Sequence, residues 1–254
     1  MHESSLCDEF GDHREDFALA DLFGAHFKAT EDFSARWPNY TKVTELYLGI
    51  SGADLHPISD DPVVRSNYRR GSDRLQYIGW MTNVEVVTGA VKLGRRLSAP
   101  TEWPFIVLNQ PGTGRSVYFA ADIGQAYFIA PYQYERRLIS NAIRWAAAAN
   151  EPPIKVSAPL CVQAAFYTQN DGRKNIVHLL NEANTSANRA IPENNPSQRE
   201  ETLPIADVRI QFSDARIATV FAEPGHRPLP LKRTDHGVEV TLPRLEVHAM
   251  VVAE

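Results

Sequence analysis

The chain has 254 residues, 43% of them hydrophobic and 22% charged, a globular composition that fits one large domain or two ordinary ones. Its net charge of −5 lacks the basic surplus that nucleic acid or an anionic membrane would require. Cys7 and Cys161 form neither a metal-type spacing nor a disulfide framework, and no apolar run approaches the roughly 20 residues of a membrane span.

Met1 to Arg14 reads as a polar loop, with Asp8, Glu9, Asp12 and His13 close together. Met1 to Asp16 is too acidic and polar for a signal peptide, so a cytoplasmic location is expected. A doubly wound domain ordinarily opens on a buried strand. The charged opening here leads to the expectation that an N-terminal portion is missing. Asp16 to Phe27 predicts a helix, with Phe17, Leu19, Ala20, Leu22 and Phe23 on its apolar face and Gly24 as its stop. Thr41 to Ile50 predicts a strand, and Ser51 to Arg74 a loop punctuated by Pro57, Asp60, Asp61, Pro62 and Gly71. Gln76 to Met81 and Val84 to Leu93 predict two more strands.

Phe105 to Asn109 and Ser116 to Ala120 flank Pro111-Gly112-Thr113-Gly114 and predict a hairpin or two neighbouring strands. After Pro131, the residues Leu138, Ile139, Ala142, Ile143, Trp145 and Ala146 recur at helical spacing. Pro152-Pro153 ends that helix. Strand, polar loop and amphipathic helix together suggest half of a βαβ unit. In open α/β sheets, ligands usually bind beyond the carboxyl ends of the strands, which draws attention to Asp122.

The stretch Asn150 to Lys155 marks a domain boundary, because the pattern beyond it is all strand. The expected division is residues 1–150, α/β, and residues 155–254, all-β. Val162 to Thr168, Asn175 to Leu180, Asp207 to Phe212, Ile217 to Ala222, Gly237 to Leu242 and Leu245 to Ala253 predict strands separated by turn clusters. Such spacing predicts a small antiparallel β-sandwich. Ala183 to Glu201, polar and rich in Asn, reads as a mobile excursion between strands.

Several constellations have the residue types that chemistry needs. Glu3, Asp8, Glu9, Asp12, His13 and Asp16 form the densest acidic cluster. Such a cluster can bind a metal or sugar hydroxyls, or can be a solvated loop whose Asp16 favours a helix N-terminus. No spacing there fixes the carboxylate separation that glycoside hydrolysis requires. Asp122, Gly124 and Tyr127 suggest a second weak ligand site, in which Gly124 permits close approach or a positive φ. The alternative is that Asp122 bonds N–H groups of its own loop or helix. A Cys–His–Glu glutaminase arrangement has no support: Cys7 lacks neighbouring glycines and Cys161 falls in the strand region. His178 and His248 alternate with apolar residues and read as satisfied strand histidines. Residues 111–114 lack the Lys-Ser/Thr ending of a phosphate loop.

Glu3 to Gly11 and Asp16 to Gly24 resemble the trimerisation-domain region of bacterial β-galactosidase-like glycoside hydrolases. Gly112 to Phe119 with Asp122-Ile123-Gly124 is similar to that domain's last strand and loop. Ala158-Pro159-Leu160, Ile176 to Asn181 and Pro243 to Val251 are similar to the β-domain that closes such chains. Cys7 departs from the pattern, since relatives often carry a bulkier aromatic residue there. The resemblance implies a partial doubly wound (flavodoxin-like, glutamine-amidotransferase-like) domain followed by a β-sandwich. It also implies a (β/α)8 barrel with the catalytic glutamates, which no stretch of this chain matches. No catalytic residue is therefore carried over, and no metal or cofactor is expected.

Two functions stay open from the sequence. One is a non-catalytic oligomerisation and accessory region of a carbohydrate-active enzyme, a homotrimer when complete, with a possible carbohydrate ligand and no nucleic-acid or membrane partner. The other is a stand-alone carbohydrate-binding or hydrolytic protein with a site around Asp8, Glu9 and Asp122, and Tyr127 beside it.

Overall fold

A computed structural model of the chain describes residues 3–32, 47–49, 74–76, 80–96, 103–129, 133–148, 150–183 and 201–254. It divides into two compact units, Met1–Asn150 and Glu151–Glu254. Strands dominate both, and the described helices lie in the first. All but the two end residues of the expected polar excursion Ala183 to Glu201, and most of the Thr41 to Arg74 region, lie outside the described residues.

In the first unit a single helical turn, α1 (Ala20–Phe23), ends at Gly24, whose φ of 70° closes it in the left-handed conformation. A Cβ at Gly24 would sit 2.8 Å from the Asn109 side chain, so the position excludes larger residues twice over. The helix expected over Asp16 to Phe27 is thus a correction. Only one turn forms, and the chain then becomes β1 (Ala25–Asp32). The reason is tertiary. Phe17, Phe23, Phe27 and Tyr118 pack ring against ring, and extended backbone after Gly24 brings Ala25 and Phe27 to that cluster.

Three further strands follow: β2 (Tyr47–Gly49), β3 (Arg74–Gln76) and β4 (Trp80–Val86). β4 runs antiparallel to β1, with a register slip between Phe27 and Ala29 that leaves Lys28 as a bulge. β5 (Val91–Arg96) begins after a turn at Gly89, φ 95°. The single strand expected over Val84 to Leu93 is therefore the end of one strand, a turn and the start of another. β6 (Pro104–Asn109) and β7 (Ser116–Phe119) form the hairpin expected around residues 111–114.

The larger sheet has the order β3-β2-β5-β6-β7. Every described pairing in this unit is antiparallel. These strands therefore do not form the parallel pairs on which a doubly wound sheet is built. β6 is buried almost throughout because both faces of its sheet are covered. Ile106 and Leu108 join a cluster with Ile123, Ala126 and Leu138 from two helices, α2 (Ile123–Ile129) and α3 (Gln133–Ala146). Val107 and Tyr118 join Leu6, Phe17 and Ala20 on the other side. Each fully buried Leu, Ile or Phe contributes about 1.5–3 kcal/mol, so these two clusters hold the unit together.

The second unit contains strands alone among its described residues. They are β8 (Ile154–Ser157), β9 (Val162–Gln169), β10 (Lys174–Asn181), β11 (Ile205–Phe212), β12 (Val220–Glu223), β13 (Arg227–Pro228), β14 (Leu231–Thr234), β15 (Gly237–Leu245) and β16 (His248–Ala253). They form two antiparallel sheets, β13-β12-β16-β10-β9 and β14-β15-β11-β8. Val177, Leu179, Ala249 and Val251 from the first sheet share one apolar cluster with Val208, Ile210, Phe212, Val240 and Leu242 from the second. β8, β13 and β14 are short strands that sequence periodicity does not reveal.

Candidate functional site

The residues singled out by sequence fall in separate local structures. Asp8 closes a tight loop. Its Oδ1 accepts hydrogen bonds from Phe10 N and Asp12 N, each at 2.9 Å, and its backbone N–H donates to Asp12 O at 2.9 Å. That geometry is an Asx turn between Cys7 and His13, which bridge as a minimal hairpin. Glu9 lies exposed on the same loop. Asp16 turns the other way and ties the loop to β1, accepting from Phe17 N (2.8 Å) and Phe27 N (2.7 Å) and pairing with His26 Nδ1 (2.6 Å). No group of three or more His, Cys, Asp or Glu able to hold a metal ion occurs among the described residues.

Asp122 is the N-cap of α2. Its carbonyl accepts from Ala126 N at 3.0 Å, and Oδ1 accepts from Gln125 N at 3.3 Å. Its own N–H donates to Trp80 O at 3.0 Å and holds the start of α2 beside β4. Tyr127 is half-buried in the same helix. Gly124 lies in the helix with ordinary room for a Cβ and no positive φ. The expected need for glycine at that position is therefore corrected.

A concavity lies in the second unit, on the outer face of β9, β10 and β16. It has a volume of about 560 Å³ and is open to solvent. Strand register explains how it is built. Val177 and Leu179 point into the core, so their neighbours Ile176, His178 and Leu180 point outward. Antiparallel pairing sets Tyr167 opposite Ile176, Ala165 opposite His178 and Gln163 opposite Leu180. On the other side it sets His248 opposite Leu180 and Met250 opposite His178.

His178 and His248 meet at the centre of this face, with Nδ1 of the first 3.2 Å from Nε2 of the second. The nitrogens are much closer than the ring centres, 5.4 Å apart, so the rings meet nitrogen to nitrogen and one donates to the other. Tyr167 stands edge-on to His178, centroids 5.4 Å apart, and is 57% exposed. Gln163 Nε2 donates to Glu182 Oε2 at 2.6 Å, which fixes the amide at the edge of the concavity. Period-two alternation identifies each histidine as outward-facing only once Val177 and Leu179 are known to be inward, and nothing in the sequence pairs β10 with β16.

No protein-family model matches the chain, and no curated protein sequence does. Solved structures do. α-L-fucosidase isoenzyme 2 from Paenibacillus thiaminolyticus matches with a TM-score of 0.61 and 18% identity, over 91% of this chain and 33% of that one. A β-galactosidase from Bacillus circulans sp. alkalophilus matches with a TM-score of 0.51 and 13% identity, over 94% of this chain and 26% of that one. A β-galactosidase from Rahnella sp. R3 matches with a TM-score of 0.50 and 13% identity, over 98% of this chain and 27% of that one. At these identities the likeness is one of fold. The chain spans a third or less of the length of these structures, all of them glycoside hydrolases. No described helix is long and apolar enough to cross a membrane.

Proposed function

We propose that the chain is a non-catalytic accessory and self-associating region of a larger β-galactosidase-like glycoside hydrolase acting in carbohydrate metabolism. One observation carries this reading: nearly all of the chain matches such enzymes, yet it accounts for a third or less of their length. Two of the candidate carboxylates support it too, because Asp8 is engaged in a turn and Asp122 in a helix cap. In this reading the first unit is part of a glutamine-amidotransferase-like trimerisation domain. Its antiparallel strands would form a flank of a mixed sheet, an arrangement common in large α/β folds. The second unit is the closing β-sandwich.

Self-association has one local support: Ile143 on α3 is 64% exposed, an apolar side chain that contact with a second copy would remove from water. The test has two arms. The purified chain should show no turnover of nitrophenyl β-galactosides or α-fucosides, and light scattering should show an oligomer, a homotrimer when the complete enzyme is used. Turnover that disappears in Glu9→Gln or Asp122→Asn would overturn the non-catalytic reading and favour a site around those residues. A stable monomer at micromolar concentration, for chain and complete enzyme alike, would overturn the self-association.

A further inference from the structure

We propose that the outer face of β9, β10 and β16 is a binding subsite for a neutral sugar ring, with Tyr167 as its apolar platform and the His178–His248 pair as its hydroxyl reader. The inference rests on the accessory-region reading only for the choice of sugar probes.

The first support is the charge of the concavity. None of its lining residues is Asp, Glu, Lys or Arg, and Gln163, Tyr167, Gln169, His178 and His248 supply the polar side chains on this face. A phosphate or carboxylate ligand would find no guanidinium or ammonium lining it, and the carboxylate at its edge, Glu182, is bonded to Gln163. A ligand matched to this surface is uncharged and rich in groups that both donate and accept hydrogen bonds. A sugar ring meets that description, with hydroxyls at its rim and C–H groups on its faces.

The second support is the hydrogen-bond logic of the histidine pair. The bond between Nδ1 of His178 and Nε2 of His248 uses one nitrogen of each ring, leaving Nε2 of His178 and Nδ1 of His248. If His178 donates, its remaining nitrogen is an acceptor and that of His248 is a donor. If His248 donates, the two roles exchange. In either tautomer the neutral pair offers one donor and one acceptor. Neighbouring hydroxyls of a sugar can match both arrangements, because each hydroxyl donates and accepts. Carbonyl or ammonium ligands, which only accept or only donate, match one half.

The third support is Tyr167. A tyrosine 57% exposed on a sheet face beside polar groups offers an apolar body next to hydrogen-bonding partners, the combination found in small-molecule sites. Its ring lies nearly perpendicular to that of His178, centroids 5.4 Å apart, beside the imidazole pair. Phe166, its chain neighbour, points to the opposite face, since its partner Val177 is in the core.

The experiment is saturation-transfer NMR on the full chain with D-galactose, L-fucose and D-glucose as probes. Transfer to the ring protons of at least one sugar is expected. Loss of that signal is expected in Tyr167→Ala and in His248→Ala, with retention in Tyr167→Trp and in the opposite-face control Phe166→Ala. Tyr167 and His248 are both exposed, so circular dichroism should show these variants folded. Absence of transfer from all three sugars would overturn the proposal, as would transfer unchanged by Tyr167→Ala and His248→Ala. Conversion of an oligomer to a monomer by Tyr167→Ala would also overturn it, and would make the face a contact between copies of this chain. Sugar binding failing while turnover stays absent rejects this subsite and leaves the accessory reading in place. Turnover rejects the accessory reading whatever the sugar signal shows.

Discussion

The carboxylate of Asp16 holds Nδ1 of His26 at 2.6 Å with one oxygen, while the other accepts the backbone N–H groups of Phe17 and Phe27. One side chain thus fixes both ends of the segment that carries Phe17, Phe23 and Phe27 onto Tyr118. Burial by itself would raise the Asp16 pKa. The bonds from Phe27, His26 and Phe17 outweigh it and hold the carboxyl below its ordinary value.

Asp16→Ala should therefore destabilise the first unit by about 1–3 kcal/mol, since it strips bonds from a charged acceptor and leaves N–H donors without it. Asp16→Asn keeps Oδ1 and should lose less. Because the folded pKa lies below the unfolded one, the carboxylate's contribution is present above the unfolded value and disappears as pH falls through the folded value. Chemical denaturation at pH 7 and at pH 3 checks both statements. An Ala variant as stable as the parent at pH 7 would show that the three bonds form equally well to water.

The same residue shows how much was legible in the sequence. Acid near the start of an apolar stretch read as a helix N-terminus, and Phe17, Leu19, Ala20, Leu22 and Phe23 do have helical spacing. Gly24 was legible as the stop, and its φ of 70° agrees. What sequence could not supply was the partner of Ala25 and Phe27, because β4 lies more than fifty residues away. Local patterns identified the β6–β7 hairpin, where turn chemistry and strand pattern lie side by side, and the long helix α3. Short strands such as β13 and β14 carry too few residues for alternation to register. The outer-face concavity was invisible for a related reason: its three strands meet only through register, and register is a property of pairing.

Gly237 offers a second test of backbone logic. It has a φ of 116°, and a Cβ there would lie 2.1 Å from Phe212 O. Relief requires moving one of two paired strands, β11 or β15. Gly237→Ala should cost at least about 3 kcal/mol, combining strain at positive φ with a backbone clash. Gly172→Ala is the control. It has a φ of 83° with nothing within 4 Å of the added methyl, and should cost about 1 kcal/mol. Denaturant midpoints that rank the two variants equally would mean that β11 and β15 yield freely at this corner.

Self-association should depend on Ile143, a 64% exposed apolar residue of α3. Ile143→Asp changes surface rather than core, so it should leave the fold intact and reduce the mass measured by light scattering. An oligomer unaffected by that substitution would place the interface elsewhere.

Glu135 gives the sharpest dependence on pH among the described residues. It lies in the first turn of α3, is 3% exposed, and its Oε2 has no hydrogen-bond partner. Burial pushes its carboxyl up to about 8. Below the ordinary value near 4.5, folded and unfolded chains are both protonated there, and the residue adds no dependence on pH. Between that value and about 8, the unfolded chain ionises while the folded chain stays neutral. Stability then falls with rising pH, by about 1.4 kcal/mol per unit. Near pH 7 the accumulated loss is about 3 kcal/mol, and above about pH 8 it levels off. Glu135→Gln keeps the shape and removes the titration. It should match the parent at pH 4.5 and be more stable at pH 7.5, so that the gap between their unfolding curves opens across this window. Parallel stability profiles for parent and variant from pH 4.5 to 8.5 would mean that Glu135 ionises in place, through water or a shift of α3 that lets its carboxylate reach solvent.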